Sequence, residues 1–307
     1  MTNNIANTKK WNWDGIRLVY SSNNILRNNN ISNNSAGISL YSSVNNTVSN
    51  NNISSNGYGI SLSLSNNNKI ADNTFTNDGL FVVDSYQNTV KNNVINEKKL
   101  IWLENISNYK VKDAGQVILI NCFNITVENL NLSNTTVGIE LWRTNSSKII
   151  SNNLLNNSWG IDLLFTRDNK IMDNNISTNG LGIDLSSSSN NTLINNNILN
   201  NNAGIDLSSS NNNKIMNNNI NLNSLYGIDL RYSNNNKIIN NNINSNNYYY
   251  GISLAYSANN TLSKNNISSN KRWGIYLYST SNNKIYFNNF INNVDNIYSY
   301  NSTNIWN

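Results

Sequence analysis

The sequence predicts an all-β fold: a right-handed parallel β-helix, a single domain over residues 1–307, with about 12 turns of ~22 residues and three short strands per turn. Three observations predict it. A Gly-Ile-x-Leu motif or a close variant starts at Gly15, Gly37 and Gly59 and resumes at Gly138, Gly160, Gly182, Gly204, Gly227, Gly251 and Gly274, mostly 22 to 24 residues apart. These sites hold ten of the 14 glycines. Apolar residues keep a fixed place within each repeat, and proline, which cannot donate to a strand ladder, is absent.

The turn that begins at Gly204 shows why each element forms. Ile205 and Leu207 alternate with polar residues, the mark of a short strand with one buried face. Ile215 and Ile220 center two further strands. Ser210, Asn212–Asn213, Asn217–Asn219 and Asn223 lie between them, and Asn tolerates the left-handed backbone that tight corners need. Asn can also stack on its counterpart one turn away in an amide ladder. So short a repeat leaves no room for a helical crossover, and Asn, Ser, Thr and Ile are mediocre helix formers. Parallel crossovers are right-handed as a rule. One stretch breaks register. Gly79 to Gly115 spans 36 residues, and the excess near residues 97–113 is expected to be an enlarged turn or side hairpin, or else a loop overhanging a binding face.

Composition narrows function. Asparagine supplies 82 of 307 residues, while charged residues are only 12 %. Polar bias of this kind accompanies disorder, but here Ile, Leu and Val recur in register. Histidine is absent, Cys122 is the one cysteine and there are three methionines, so soft-metal sites are excluded. A net charge of +5 without a dense Lys/Arg cluster argues against nucleic acid. No apolar run reaches the ~20 residues of a membrane span. No signal peptide is visible before the first turn at Gly15, and the expectation is a leader removed from this chain. Asn-x-Ser/Thr sites, such as Asn30, Asn52 and Asn266, would make the chain a glycan acceptor if exported.

In a solenoid each repeat position becomes a line of residues. The position between the two buried strand residues should point outward. It reads Arg17, Ser39 and Ser61 early, then Glu140, Asp162, Asp184, Asp206 and Asp229, then Ser253 and Tyr276. Carboxylates about 4.8 Å apart repel by about 1 kcal/mol per pair in water and about 3.5 kcal/mol at an effective dielectric near 20. A bound cation, basic neighbors or raised pKa values must relieve this. Calcium takes oxygen ligands, so Asp184 and Asp206 are candidate Ca²⁺ ligands. The plain alternative is a duplicated surface Asp screened by salt. A second line, Lys69, Lys148, Lys170, Lys214, Lys237 and Lys284, reads as a solvated stripe. Trp142, Arg143, Tyr232 and Tyr256 flank the acidic line. Aromatic rings beside carboxylates suit a polysaccharide, the rings stacking on sugar faces and the carboxylates taking hydroxyl hydrogen bonds.

The Gly-Ile-x-Leu…Ser-x-Asn-Asn-x-Ile…Asn-x-Ile repeats resemble the NosD-type β-helix family of the carbohydrate-binding and sugar-hydrolase group. The segments DAGQVILINCFNITVENLNLSNTTVGI (Asp113–Ile139) and IYFNNFINNVDNIYSYNSTNIWN (Ile285–Asn307) are similar to archaeal cell-surface members. The resemblance implies an exported, cell-surface structural or adhesive protein, and a closing segment beyond the tail that makes this chain part of a larger protein. The copper association of the family name finds no His here to support it. The expected function is therefore a surface solenoid whose acidic line binds polysaccharide or a cation. The alternatives are a polysaccharide hydrolase or lyase using Glu140 to Asp229, and end-to-end self-association through exposed strand edges.

Overall fold

The Ile-x-Leu pairs turn both apolar side chains inward in strands such as Leu181–Ser186, where Ile183 and Leu185 are fully buried. Two three-residue strands complete that turn, Thr192–Ile194 and Asn197–Leu199, each burying its central residue. The computed structural model describes residues 1, 4–7, 13–246 and 248–306. It is an all-β, right-handed parallel β-solenoid of about 13 turns, close to the number the repeats predict, with no helix among the described residues. Two compact units are present. The first comprises Met1–Asn105, Asp113–Ile120 and Asn131–Glu140, and the second Ile106–Lys112, Asn121–Leu130 and Leu141–Asn307.

In the second unit, equivalent strands of successive turns pair in parallel with no slip across the acidic line: Asp162 with Asp184, Asp184 with Asp206, Asp206 with Asp229. Register is held from inside by asparagine ladders. The Asn179 backbone N–H and Nδ2 both donate to Asn201 Oδ1 (2.9 and 3.0 Å), while Nδ2 also reaches the Leu154 carbonyl at 3.1 Å. The ladder runs on through Asn223, Asn246, Asn270 and Asn293. Two more amide ladders and a Ser/Thr ladder through Ser188, Ser210 and Ser233 follow the same scheme.

Corners and ladders use separate residues. In the turn from Gly204 the left-handed positions are Ser209, Asn212, Asn217 and Leu222, and each is followed by a buried, laddered Ser210, Asn213, Asn218 or Asn223. The corner therefore accepts Ser, Leu, Phe165 or Tyr232 as well as Asn, because the buried amide or hydroxyl behind it holds the bend.

In the first unit the register break takes a definite form. Asn96 and Glu97 both have positive φ (47° and 69°) and close a two-residue hairpin that sets Lys98–Lys99 antiparallel to Val94–Ile95. The extra residues are strands. Lys98–Glu104 pairs with Gln116–Ile120, and in the second unit Ser107–Val111 pairs with Phe123–Glu128.

A side chain completes the first unit where the ladder lapses. The Leu80 N–H donates to Gln116 Oε1 at 3.0 Å, and Gln116 Nε2 donates to the Leu80 carbonyl at 2.6 Å. The fully buried Gln116 amide thus replaces a missing peptide group. Gln116→Leu, which strands both backbone groups, is expected to lower stability by about 2–4 kcal/mol in a urea titration. A change below about 0.5 kcal/mol would show that water satisfies them.

Candidate functional site

The acidic line stands on the outer side of the Gly-led strands, yet it is not a solvated stripe. In the second unit Asp162 is 8 % exposed and Asp229 is fully buried, with Asp184 and Asp206 half-buried. The expectation of freely exposed carboxylates is corrected by what lies beside them. Tyr226, one turn on and just before its glycine, donates its hydroxyl to Asp206 Oδ2 at 2.7 Å. Arg231 Nε donates to Asp229 Oδ2, also at 2.7 Å.

These neighbors make the four aspartates unequal. Burial pushes the Asp162 carboxyl up to about 7. Burial, with repulsion from Asp162 and Asp206, pushes Asp184 up to about 8, against a weak opposing bond from Ser186. Burial also raises Asp206, opposed by the Tyr226 hydroxyl and the Arg231 charge. Asp229 is raised by burial and pulled back by Ser253 and Arg231. The Arg231 guanidinium, permanently charged and at hydrogen-bond distance, opposes that rise and favors the charged form of Asp229. Repulsion is thus relieved by protons at Asp162 and Asp184 and by a cation at Asp229, two of the routes the spacing requires.

Where the acids end, rings continue the line. Ser253 pairs in register with Tyr276, and Tyr276 with Tyr298. Tyr250 stacks on Tyr226 (6.1 Å between centroids) and on Tyr276 (5.3 Å), and Tyr276 lies parallel to Tyr298 at 5.3 Å. Tyr232 and Tyr256 form a second column at the corner, stacked at 5.0 Å with rings 6° apart. Both have positive φ, and Tyr232 is 59 % exposed. Burial and the nearby Asp229 push the Tyr250 hydroxyl up to about 12, so it is a donor at any ordinary pH.

Glu140 belongs to the first unit and is buried. Trp142 is 3 % exposed, with the Arg143 guanidinium 4.5 Å over its ring, so it presents no open face. Tyr226 belongs to the aromatics that precede the repeat glycine, with Tyr58, Trp159, Tyr250 and Trp273. Arg231 is not among the sequence candidates, and its signal is faint: one residue past the buried Leu230, in a single turn.

Among curated proteins, none matches this chain in sequence. A model for the family described as "Periplasmic copper-binding protein (NosD)" matches residues 1–102 and 99–250, and one described as "Right handed beta helix region" matches 202–307. The residues present do not fit copper. Cys122 is buried, Met172 and Met216 stand two turns apart with Ile194 between them, and histidine is absent. Among the described residues no three His, Cys, Asp or Glu side chains converge on a metal position. Asp184 and Asp206 are neighbors, as the calcium expectation needs, but a protonated Asp184 is a poor calcium ligand.

Solved structures resemble the fold, among them the following three. The A-module of the Azotobacter vinelandii mannuronan C-5 epimerase AlgE4 has a TM-score of 0.59 and 15 % identity, covering 92 % of this chain and 90 % of that one. The A-module of AlgE6 from the same organism gives 0.50 and 15 %, covering 93 % and 91 %. A variant of the periplasmic alginate epimerase AlgG gives 0.51 and 16 %, covering 92 % and 73 %. At such identity the likeness establishes the fold alone. The family rests on the sequence match over residues 1–250 and on the laddered turns that carry it: this chain belongs to the NosD family of right-handed β-helix proteins.

Proposed function

We propose that the second unit binds a polysaccharide along its Gly-led face, and that the protein is an adhesive or structural solenoid acting outside the cytoplasm. One observation carries the reading. Half-buried Asp206 and its neighbor Asp229, oriented by Tyr226 and Arg231, run directly into a stacked series of tyrosine rings. Rings supply apolar faces for sugar C–H groups, and oriented carboxyls and phenols supply hydroxyl partners. The periplasmic description of the family supports a place outside the cytoplasm. The carbohydrate-related names of the similar structures fit the ligand class.

The test is binding to a panel of soluble polysaccharides by affinity electrophoresis. The half-buried Tyr276→Ala and Asp206→Asn variants are expected to weaken retention about 10-fold each, the loss of roughly 1.4 kcal/mol per anchor. If no polysaccharide slows the wild type, or the variants are slowed equally, the reading is wrong.

A second reading, polysaccharide hydrolysis, is favored by the inequality of the acids. Burial and its acidic neighbors push the Asp184 carboxyl up to about 8, while the Arg231 guanidinium favors the charged form of Asp229, an inequality of the kind acid–base cleavage needs. Release of reducing ends that Asp184→Asn abolishes would decide for it. Binding without release decides for adhesion.

A further inference from the structure

A different face of the second unit carries its own pattern. Along the second strand of each turn, Lys148 pairs with Lys170, Lys170 with Thr192, Thr192 with Lys214, Lys214 with Lys237, Lys237 with Thr261 and Thr261 with Lys284. All five lysines are exposed, and none is in an ion pair among the described residues. Two residues along each strand, on the same side, runs an apolar row: Ile150, Met172, Ile194, Met216 and Ile239, all half-buried. The acids near this face are Asp168 and Asp173, exposed at the corners around Lys170, and Glu128, in register with Ile150 at the start of the row and ion-paired with Lys110. The third strands, such as Asn175–Ser177 and Asn219–Asn221, carry no charge.

We propose that this lysine–methionine face docks on an anionic lipid bilayer. The unneutralized lysine row matches the sign of an anionic leaflet, and the apolar row selects a bilayer over a soluble polyanion. A hydrated polymer would leave Met172, Ile194 and Met216 wet. A membrane interface takes in such side chains while the lysine stems extend along it to reach headgroups. Threonine in place of lysine at Thr192 and Thr261 keeps the row polar while spacing the charges. The acid–tyrosine face is formed by other strands, so docking and polysaccharide binding use different surfaces of the turns.

The test is co-sedimentation of the full chain with vesicles of phosphatidylglycerol and phosphatidylcholine, beside pure phosphatidylcholine, at low and high salt. Binding is expected with the anionic vesicles alone and to fall with salt. The variant with Lys148, Lys170, Lys214, Lys237 and Lys284 all changed to Gln should bind at least about 100-fold more weakly. Met172→Ser with Met216→Ser should weaken vesicle binding several-fold. Unchanged melting temperatures for both variants confirm that folding is intact, as exposed lysines and half-buried outer methionines lead one to expect. The proposal is overturned if the wild type stays in solution with anionic vesicles, or if the lysine variant binds undiminished. It is also overturned if the methionine variant binds as wild type while dextran sulfate is retained with the same lysine dependence, which would assign the face to a polymer.

Discussion

Gly204→Ala is expected to cost about 3 kcal/mol of stability, a large loss for one methyl group. A Cβ at Gly204 would stand 2.3 Å from the Gly227 carbonyl oxygen of the next turn, 3.1 Å from Ile220 Cγ2 and 3.2 Å from Asn223 Nδ2. The glycine has no positive φ, so backbone freedom is not the reason for it. The reason is close approach: the carbonyl belongs to a paired strand and cannot retreat without disturbing the next turn. Gly160, Gly182 and Gly227 face the same obstacle at 2.5 to 2.6 Å, so the effect should recur in each. A urea titration checks it. A loss below about 1 kcal/mol would mean that successive turns separate easily, contrary to the ladders between them.

The second large effect is a fall in stability as pH rises. The folded carboxyls of Asp162 and Asp184 sit at about 7 and about 8, above the ordinary 3.8 they regain on unfolding. Between about pH 4 and pH 8 the folded chain therefore holds more protons than the unfolded one, and stability declines with pH throughout that window. The decline is at most about 1.4 kcal/mol per pH unit for each group, and it levels off above pH 8. Asp78, buried in an asparagine ladder of the first unit and raised to about 7 by burial, acts in the same direction. The variant separates the contributions. Asp184→Asn keeps the shape, removes the titration and relieves Asp162, so it should match wild type near pH 4 and exceed it by a growing margin toward pH 9. Melting temperatures across that range measure it. Parallel curves for the two proteins would mean that Asp184 titrates normally.

The sites of these effects differ in how far they could be read from residues alone. The glycine column is evident because its cause is repeated in every turn. The acidic column was equally legible as a column, and its register is as the repeat implies. Its environment was not. Strand alternation places Asp206 on the outer side, but whether that side is wet depends on Tyr226, 20 residues away, turning its hydroxyl back onto it. Asp229 and Arg231 are two residues apart, yet nothing in that spacing shows that the carboxylate is sealed while the arginine stays half-exposed. Trp142 looked like Tyr232 and Tyr256 as a sugar platform, and burial alone removes it.

The sequence by itself determined the solenoid, its three strands per turn, the inner asparagine positions and the residues sharing each outer line. These follow from one short pattern repeated at constant length, where local geometry and pairing agree at every turn. Only the tertiary structure decided which acids keep their protons, which rings are open, and how Gln116 fills the interrupted ladder. Those depend on desolvation and on single hydrogen bonds between residues about a turn or more apart. A periodic pattern states what recurs, and these are the features that occur once.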